Sequence, residues 1–168
     1  MRVLLDKGVI RRLLEGFVRG TSWQPLTEEQ EAVSELLRKY YGKEQLYISY
    51  KSFNTLEHRF GHREIVQRIF SMTGTLYPTR YARRWARRLR KFEFGREDAL
   101  MISMGSFSTD KPYKGKILGV NRLVTLDKRM YERFQNHYDE ISAVFEKMVT
   151  ALEAPFSLVK LPEIEIPN

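Results

Sequence analysis

Short apolar runs alternate along the chain with stretches in which apolar residues recur every three or four positions, so strands should alternate with helices. Residues 2–6 carry Val3, Leu4 and Leu5 in succession, which suits a central parallel strand buried on both faces and ending on Asp6. Val9, Ile10, Leu13, Leu14, Phe17 and Val18 then follow helical spacing until Gly20. Thr27 followed by Gln30 predicts a capped second helix with Val33, Leu36, Leu37, Tyr40 and Tyr41 as its buried stripe and Gly42 as its stop. Leu46, Tyr47 and Ile48 predict a second strand, after which Ser52 is expected to cap a helix carrying Leu56, Glu57 and Phe60.

A short helix through Ile65, Val66, Ile69 and Phe70 leads to an extended piece at Leu76 and Tyr77. From Thr79 the chain turns basic, and Gly95 separates that helix from one with Asp98 in its first turn and Ala99, Leu100, Met101, Ile102 and Met104 buried. Residues 106–116 read as an exposed loop rich in Gly, Pro, Ser, Asp and Lys. Ile117, Leu118 and Val120, then Leu123, Val124, Thr125 and Leu126, predict one or two strands ending on Asp127. Met130, Phe134, Tyr138, Ile141, Phe145, Met148 and Leu152 keep near-heptad spacing and predict one long terminal helix, either a dimer seam or a core helix. Beyond Pro155, Phe156, Leu158 and Val159 offer an edge strand. The expectation is therefore an α/β domain over residues 1–154 with a tail over 155–168.

A chain of 168 residues is long enough for one domain with a sizeable core, and 42% hydrophobic with 30% charged residues is the balance of a folded chain. Without cysteine, disulfides, thiolate nucleophiles and cysteine-ligated metal centres are excluded. The opening MRVLLD reaches charge at once, and no apolar run is long enough for a leader or a membrane span, so a cytoplasmic protein with no membrane contact is expected. Lys and Arg outnumber Asp and Glu by 29 to 21, a formal charge of +8 that favours polyanionic partners such as nucleic acid.

Candidate chemistry lies with the acids. Ligands of parallel sheets bind beyond the carboxyl ends of the strands, where Asp6 and Asp127 both stand. Two carboxylates meeting there would repel each other and raise one pKa unless a cation offsets it. Asp98 and Glu57 can join them, and four oxygen ligands of this kind suit Mg²⁺ or Mn²⁺. Taken singly, each acid has a plainer role: Asp6 and Asp127 as N-caps, Asp98 as a partner of a helix dipole, Glu57 as a solvated helix residue. His58 and His62 are four apart, but Gly61 lies between them and no HExxH pattern surrounds them, so zinc is not expected.

Four segments together resemble the PIN-domain family: VLLDKGVI its opening strand and acid, LYISYKSFNTLE its second motif, GREDALMIS its third and RLVTLDKRMYERF its fourth, with Val-Thr-x-Asp before a phenylalanine. The resemblance spans residues 2–134 and implies a three-layer α/β/α sandwich with a mainly parallel central sheet of four or five strands. It also implies a metal-dependent endoribonuclease with Asp6, Glu57, Asp98 and Asp127 as catalytic metal ligands for Mg²⁺ or Mn²⁺, and RNA as substrate. Many members are toxins of VapBC-type toxin–antitoxin pairs, so an antitoxin protein is an expected partner, with a homodimer as the expected assembly. Lys7 departs from the pattern, standing where the family usually has Thr or Ser. Its ammonium either competes with the cation or contacts phosphate, and it is expected to point away from the acids.

RYARRWARRLRK spaces Arg80, Arg83, Arg84, Arg87, Arg88 and Lys91 by threes and fours, so most share one side of a helix whose other side is Tyr81, Trp85, Leu89 and Phe92. That side suits phosphate through bidentate guanidinium contacts, or else is a solvated face paired with acids. The competing reading of the whole chain is a catalytically inactive PIN-like module that binds nucleic acid or a partner through this helix. A third is an assembly protein dimerising by its terminal helix.

Overall fold

A computed structural model of the chain describes residues 1–61, 64–112, 116 and 119–168. Expectations resting on His62, Ile117, Leu118 and residues 113–115 of the loop lie outside the described residues. In chain order the elements are β1 (Arg2–Leu5), α1 (Lys7–Thr21), α2 (Glu28–Tyr40), β2 (Gln45–Ser49), α3 (Tyr50–Phe60), α4 (Glu64–Ser71), β3 (Gly74–Pro78), α5 (Arg80–Leu89), α6 (Arg96–Phe107), β4 (Ser108–Thr109), β5 (Arg122–Val124), α7 (Lys128–Asn136), α8 (Tyr138–Thr150) and β6 (Glu163–Glu165).

The strands form one sheet in the order β4-β3-β2-β1-β5-β6, with β3 and β4 antiparallel and every other neighbouring pair parallel. Successive side chains of a strand point to opposite faces, and β1 shows the consequence. Val3 and Leu5 pack with Val9, Ile10, Leu13 and Leu14 of α1 and with buried residues of α2, α3 and α4. Leu4 packs on the other face with Trp85 and Leu89 of α5, Ile102 and Phe107 of α6, and Phe134 and Phe145 of α7 and α8. The result is a three-layer α/β/α sandwich whose central strand is apolar on both sides because both sides are covered.

Strand order decides where a site can form. The chain steps outward from β1 to β2 and β3, then returns to the opposite side of β1 with β5. The order therefore reverses at β1, and the crevice beyond the carboxyl ends of β1 and β5 is where such sheets bind ligands.

Several expected boundaries move. The sheet has six strands among the described residues, not four or five, because β4 and β6 add short edges. The loop expected over 106–116 begins later, since α6 runs to Phe107 and Ser108–Thr109 pair with β3. Ser49 rather than Ser52 caps α3, its hydroxyl accepting from the Ser52 backbone N–H. The single long terminal helix is two, α7 and α8, parted at His137. Met130, Phe134, Ile141, Phe145 and Met148 are all buried within the chain's own core, so they are not available as a dimer seam. In the tail, Phe156–Leu158 form a 3-10 turn, and the edge strand is Glu163–Glu165. That strand brings Glu163 and Glu165 onto Arg122 of β5 at 3.0 and 3.1 Å, while the Tyr40 hydroxyl donates to Glu165.

Candidate functional site

Asp6 and Asp127 owe their positions to the two strand-to-helix turns at the point of strand reversal. Asp6 caps α1, its carboxylate accepting from the Lys7 backbone N–H at 2.7 Å, and its own N–H donates to the Val124 carbonyl at 2.9 Å. Asp127 caps α7, accepting from the Met130 N–H at 3.1 Å. The capping role and the site role thus coexist in each residue, since a carboxylate has more acceptor positions than a cap uses.

Thr125 joins the two acids. Fully buried, its hydroxyl donates to Asp6 at 2.8 Å and accepts from the Asp127 backbone N–H at 3.1 Å. Strand patterning alone marks it only as a strand residue, and its place in Val-Thr-x-Asp is the signal in the sequence. Asp98, in the first turn of α6, approaches from the layer that also holds α7, opposite α1.

These three aspartates line one cavity of about 700 Å³, together with residues of α1, α3, α5 and α6. Electrostatics report their proximity. Asp98 is pushed up from 3.8 to about 6, first by burial and then by Asp127, Asp6 and Glu97, with Arg133 opposing. Asp6 is also raised, by burial first; the Thr125 hydrogen bond, the Lys7 N–H and the Lys7 charge pull the other way, and Asp127 adds to the rise. Uncompensated negative charge at the end of a sheet is the condition that a hard cation relieves.

Glu57 does not line this cavity. β2 ends at Ser49, and Glu57 lies eight residues further on, in the second half of α3. At about 1.5 Å per helical residue that is roughly 12 Å along the helix from the strand end. The α3 residues that do reach the cavity are Tyr50, Lys51, Ser52 and Thr55. Lys7, expected to point away, instead lines the cavity and stands 3.9 Å from Glu97.

The basic helix divides. Arg83 lines the aspartate cavity, whereas Arg80, Arg84 and Arg87 surround Tyr81 in a small outer cleft, with the Arg80 and Arg84 guanidinium carbons 4.8 and 5.8 Å from the ring centroid. Arg88 is half-buried, and Lys91 lies past the end of α5 in a 3-10 turn. A larger cleft of about 800 Å³ between α1, α2 and the end of α3 contains none of the four expected acids.

Whether the residues suit Mg²⁺ or Mn²⁺ is decided by donor chemistry and charge. Among the described residues, no three His, Asp or Glu side chains stand as a ready-made metal cluster. The donors of Asp6, Asp98 and Asp127 are nevertheless all carboxylate oxygens, and Asp6 and Asp98 hold their protons more tightly than usual, first through burial and then through neighbouring carboxylates. In kind and charge the set fits a hard divalent ion.

No family model matches the chain and no curated protein matches it in sequence. Among solved structures it is similar to a chain of the VapBC-1 structure from nontypeable Haemophilus influenzae, with a TM-score of 0.51 and 17% identity, over 81% of this chain and 94% of that one. The likeness is one of fold, and the chain is an α/β protein with a PIN-like three-layer sandwich.

Proposed function

We propose that the protein is a metal-dependent endoribonuclease of the PIN type, acting as the toxin of a toxin–antitoxin pair. The observation that carries the reading is the gathering of Asp6, Asp98 and Asp127 around one cavity at the strand reversal, with Asp127 raising the proton affinity of both others and Asp6 that of Asp98. The fold shared with a chain of the VapBC-1 structure supports the toxin assignment. In this reading Asp6, Asp98 and Asp127 hold Mg²⁺ or Mn²⁺, and Glu57 stays outside the ligand set.

A divalent ion held there supplies Lewis acidity toward a phosphodiester and acidifies water at neutral pH. The chain's own groups do the positioning. Thr125 fixes the Asp6 carboxylate and the start of α7 with one hydroxyl, so two of the three acids are locked in a common frame. Lys7 offsets part of the negative charge at Asp6. The arginines of α5 offer a surface to RNA, and an acidic segment of an antitoxin would compete for the same guanidinium groups.

The test is incubation of purified protein with total RNA in Mg²⁺, Mn²⁺ or EDTA. Cleavage is expected with either ion, none in EDTA, and at least a hundredfold loss in Asp98→Asn and Asp127→Asn. If wild type and Asp98→Asn degrade RNA equally, or neither does with either ion, the nuclease reading fails.

That no carboxylate cluster stands preformed among the described residues favours a second reading, a catalytically inactive PIN-like module that binds nucleic acid or a partner through α5. RNA that is retained but uncut in both ions would select it.

A further inference from the structure

The cavity that holds the aspartates also carries cations at its rim, beside the exposed Glu97. Lys51 of α3, Arg83 of α5 and Arg96 of α6 all line it, all are exposed, and none forms an ion pair among the described residues. The cavity acids Asp6, Asp98 and Asp127 are half-buried beneath them. Three elements thus place unpaired cations around the mouth while the carboxylates sit deeper, an arrangement in which the cations are free for an external anion.

Tyr50 adds a second kind of surface. It is the first residue of α3, lines the same cavity, and is stacked on Tyr77 of β3 with ring centroids 5.4 Å apart and planes 20° from parallel. A tyrosine already held by a neighbouring ring loses little freedom when another flat group packs on it. Aromatic platforms beside basic side chains are how single strands are bound, with bases on the rings and phosphates on the cations. A volume of about 700 Å³ is that of a pocket for a drug-sized ligand. It accommodates one or two nucleotides, whereas an A-form duplex keeps its bases paired and stacked and so offers no free base face to a tyrosine ring.

We propose that this cavity binds single-stranded RNA, with one base packed on Tyr50 and the flanking phosphates on Lys51, Arg83 and Arg96. The inference deepens the nuclease reading and rests on it for the choice of polyanion. It assigns Tyr50, Lys51 and Arg96 a role in substrate binding that the family resemblance does not supply.

Binding alone tests it. In EDTA, the full-length protein is titrated into a fluorescein-labelled single-stranded RNA of about eight nucleotides and into a duplex of the same sequence, and anisotropy is read across a salt series. Tyr50→Ala should weaken single-strand binding about tenfold with an unchanged salt slope, and Tyr50→Trp should restore it. Arg83→Gln plus Arg96→Gln should lower the slope of log affinity against log salt by about 1.4. Thermal unfolding of each variant, unchanged from wild type, separates lost contacts from lost fold.

Equal binding of the duplex, wild-type affinity in Tyr50→Ala, an unmoved slope in the double variant, or no binding by wild type at low salt each overturns the proposal. Its fate is separable from that of the nuclease. Binding that depends on Tyr50 without any cleavage keeps the inference and removes the activity; cleavage with binding indifferent to all three residues does the reverse.

Discussion

Removing the charge of Asp98 should stabilise the ion-free protein at neutral pH. Its carboxyl is raised from 3.8 to about 6 by burial and by Asp127, Asp6 and Glu97. Between those values the folded chain holds a proton that the unfolded chain has released, so stability falls as pH climbs through that window. At about 1.4 kcal/mol per pH unit the displacement is worth about 3 kcal/mol, which solvent around a half-buried carboxylate reduces to about 1–2. Asp98→Asn removes the charge and keeps the shape. For a chain of this size the gain at pH 7.5 corresponds to about 3–6 °C in the unfolding midpoint, with almost no gain near pH 4, where the wild-type carboxyl is protonated. Circular dichroism melts of both proteins in EDTA at the two pH values measure it. A variant less stable than wild type at pH 7.5, or an equal difference at both, would refute the reasoning.

The core and the surface give further expectations. Trp85 is fully buried against Phe145 at 5.2 Å, and its indole N–H has no partner among the described residues. Urea denaturation should therefore show a loss of about 3–5 kcal/mol for Trp85→Ala but only about 1–2 for Trp85→Phe, which deletes an unsatisfied donor as well as volume. A methyl group on Gly105 would come within 2.6 Å of the Pro162 ring, so Gly105→Ala should cost about 1–3 kcal/mol in the same assay and loosen the tail that β6 anchors. Arg84→Glu with Arg87→Glu should weaken RNA affinity and flatten its salt dependence while leaving the melting midpoint within a degree or two; an unchanged slope would count against the outer face of α5.

The residues that announced themselves did so through local chemistry. Val3, Leu4 and Leu5 name a strand covered on both faces, and Asp6 and Asp127 name the turns after β1 and β5, because an apolar run followed by a capping acid has few other structural meanings. What could not be read was long-range. Glu57 lies near Ser49 in the sequence, yet α3 begins at Tyr50 and carries it along the helix and off the cavity wall. The near-heptad from Met130 to Leu152 crosses His137 without a glycine or proline, so nothing in the spacing signals that α7 and α8 are separate helices sharing one core. Glu163–Glu165 becomes a strand by pairing with β5, whose Arg122 takes both acids, and that pairing is invisible until β5 is placed. The charge of Lys7 does not tell which way its side chain runs; only in the fold does it stand at the cavity, 3.9 Å from Glu97 of α6.

Titration with Mn²⁺, followed by calorimetry on the RNA-free protein, bears most directly on the claim that three aspartates form one cation site. One ion per chain is expected, weakened at least tenfold by Asp98→Asn and by Asp127→Asn and unaltered by Glu57→Gln, which lies off the cavity. A wild-type chain that takes up no Mn²⁺, or binding lost with Glu57 and indifferent to Asp98, would contradict it.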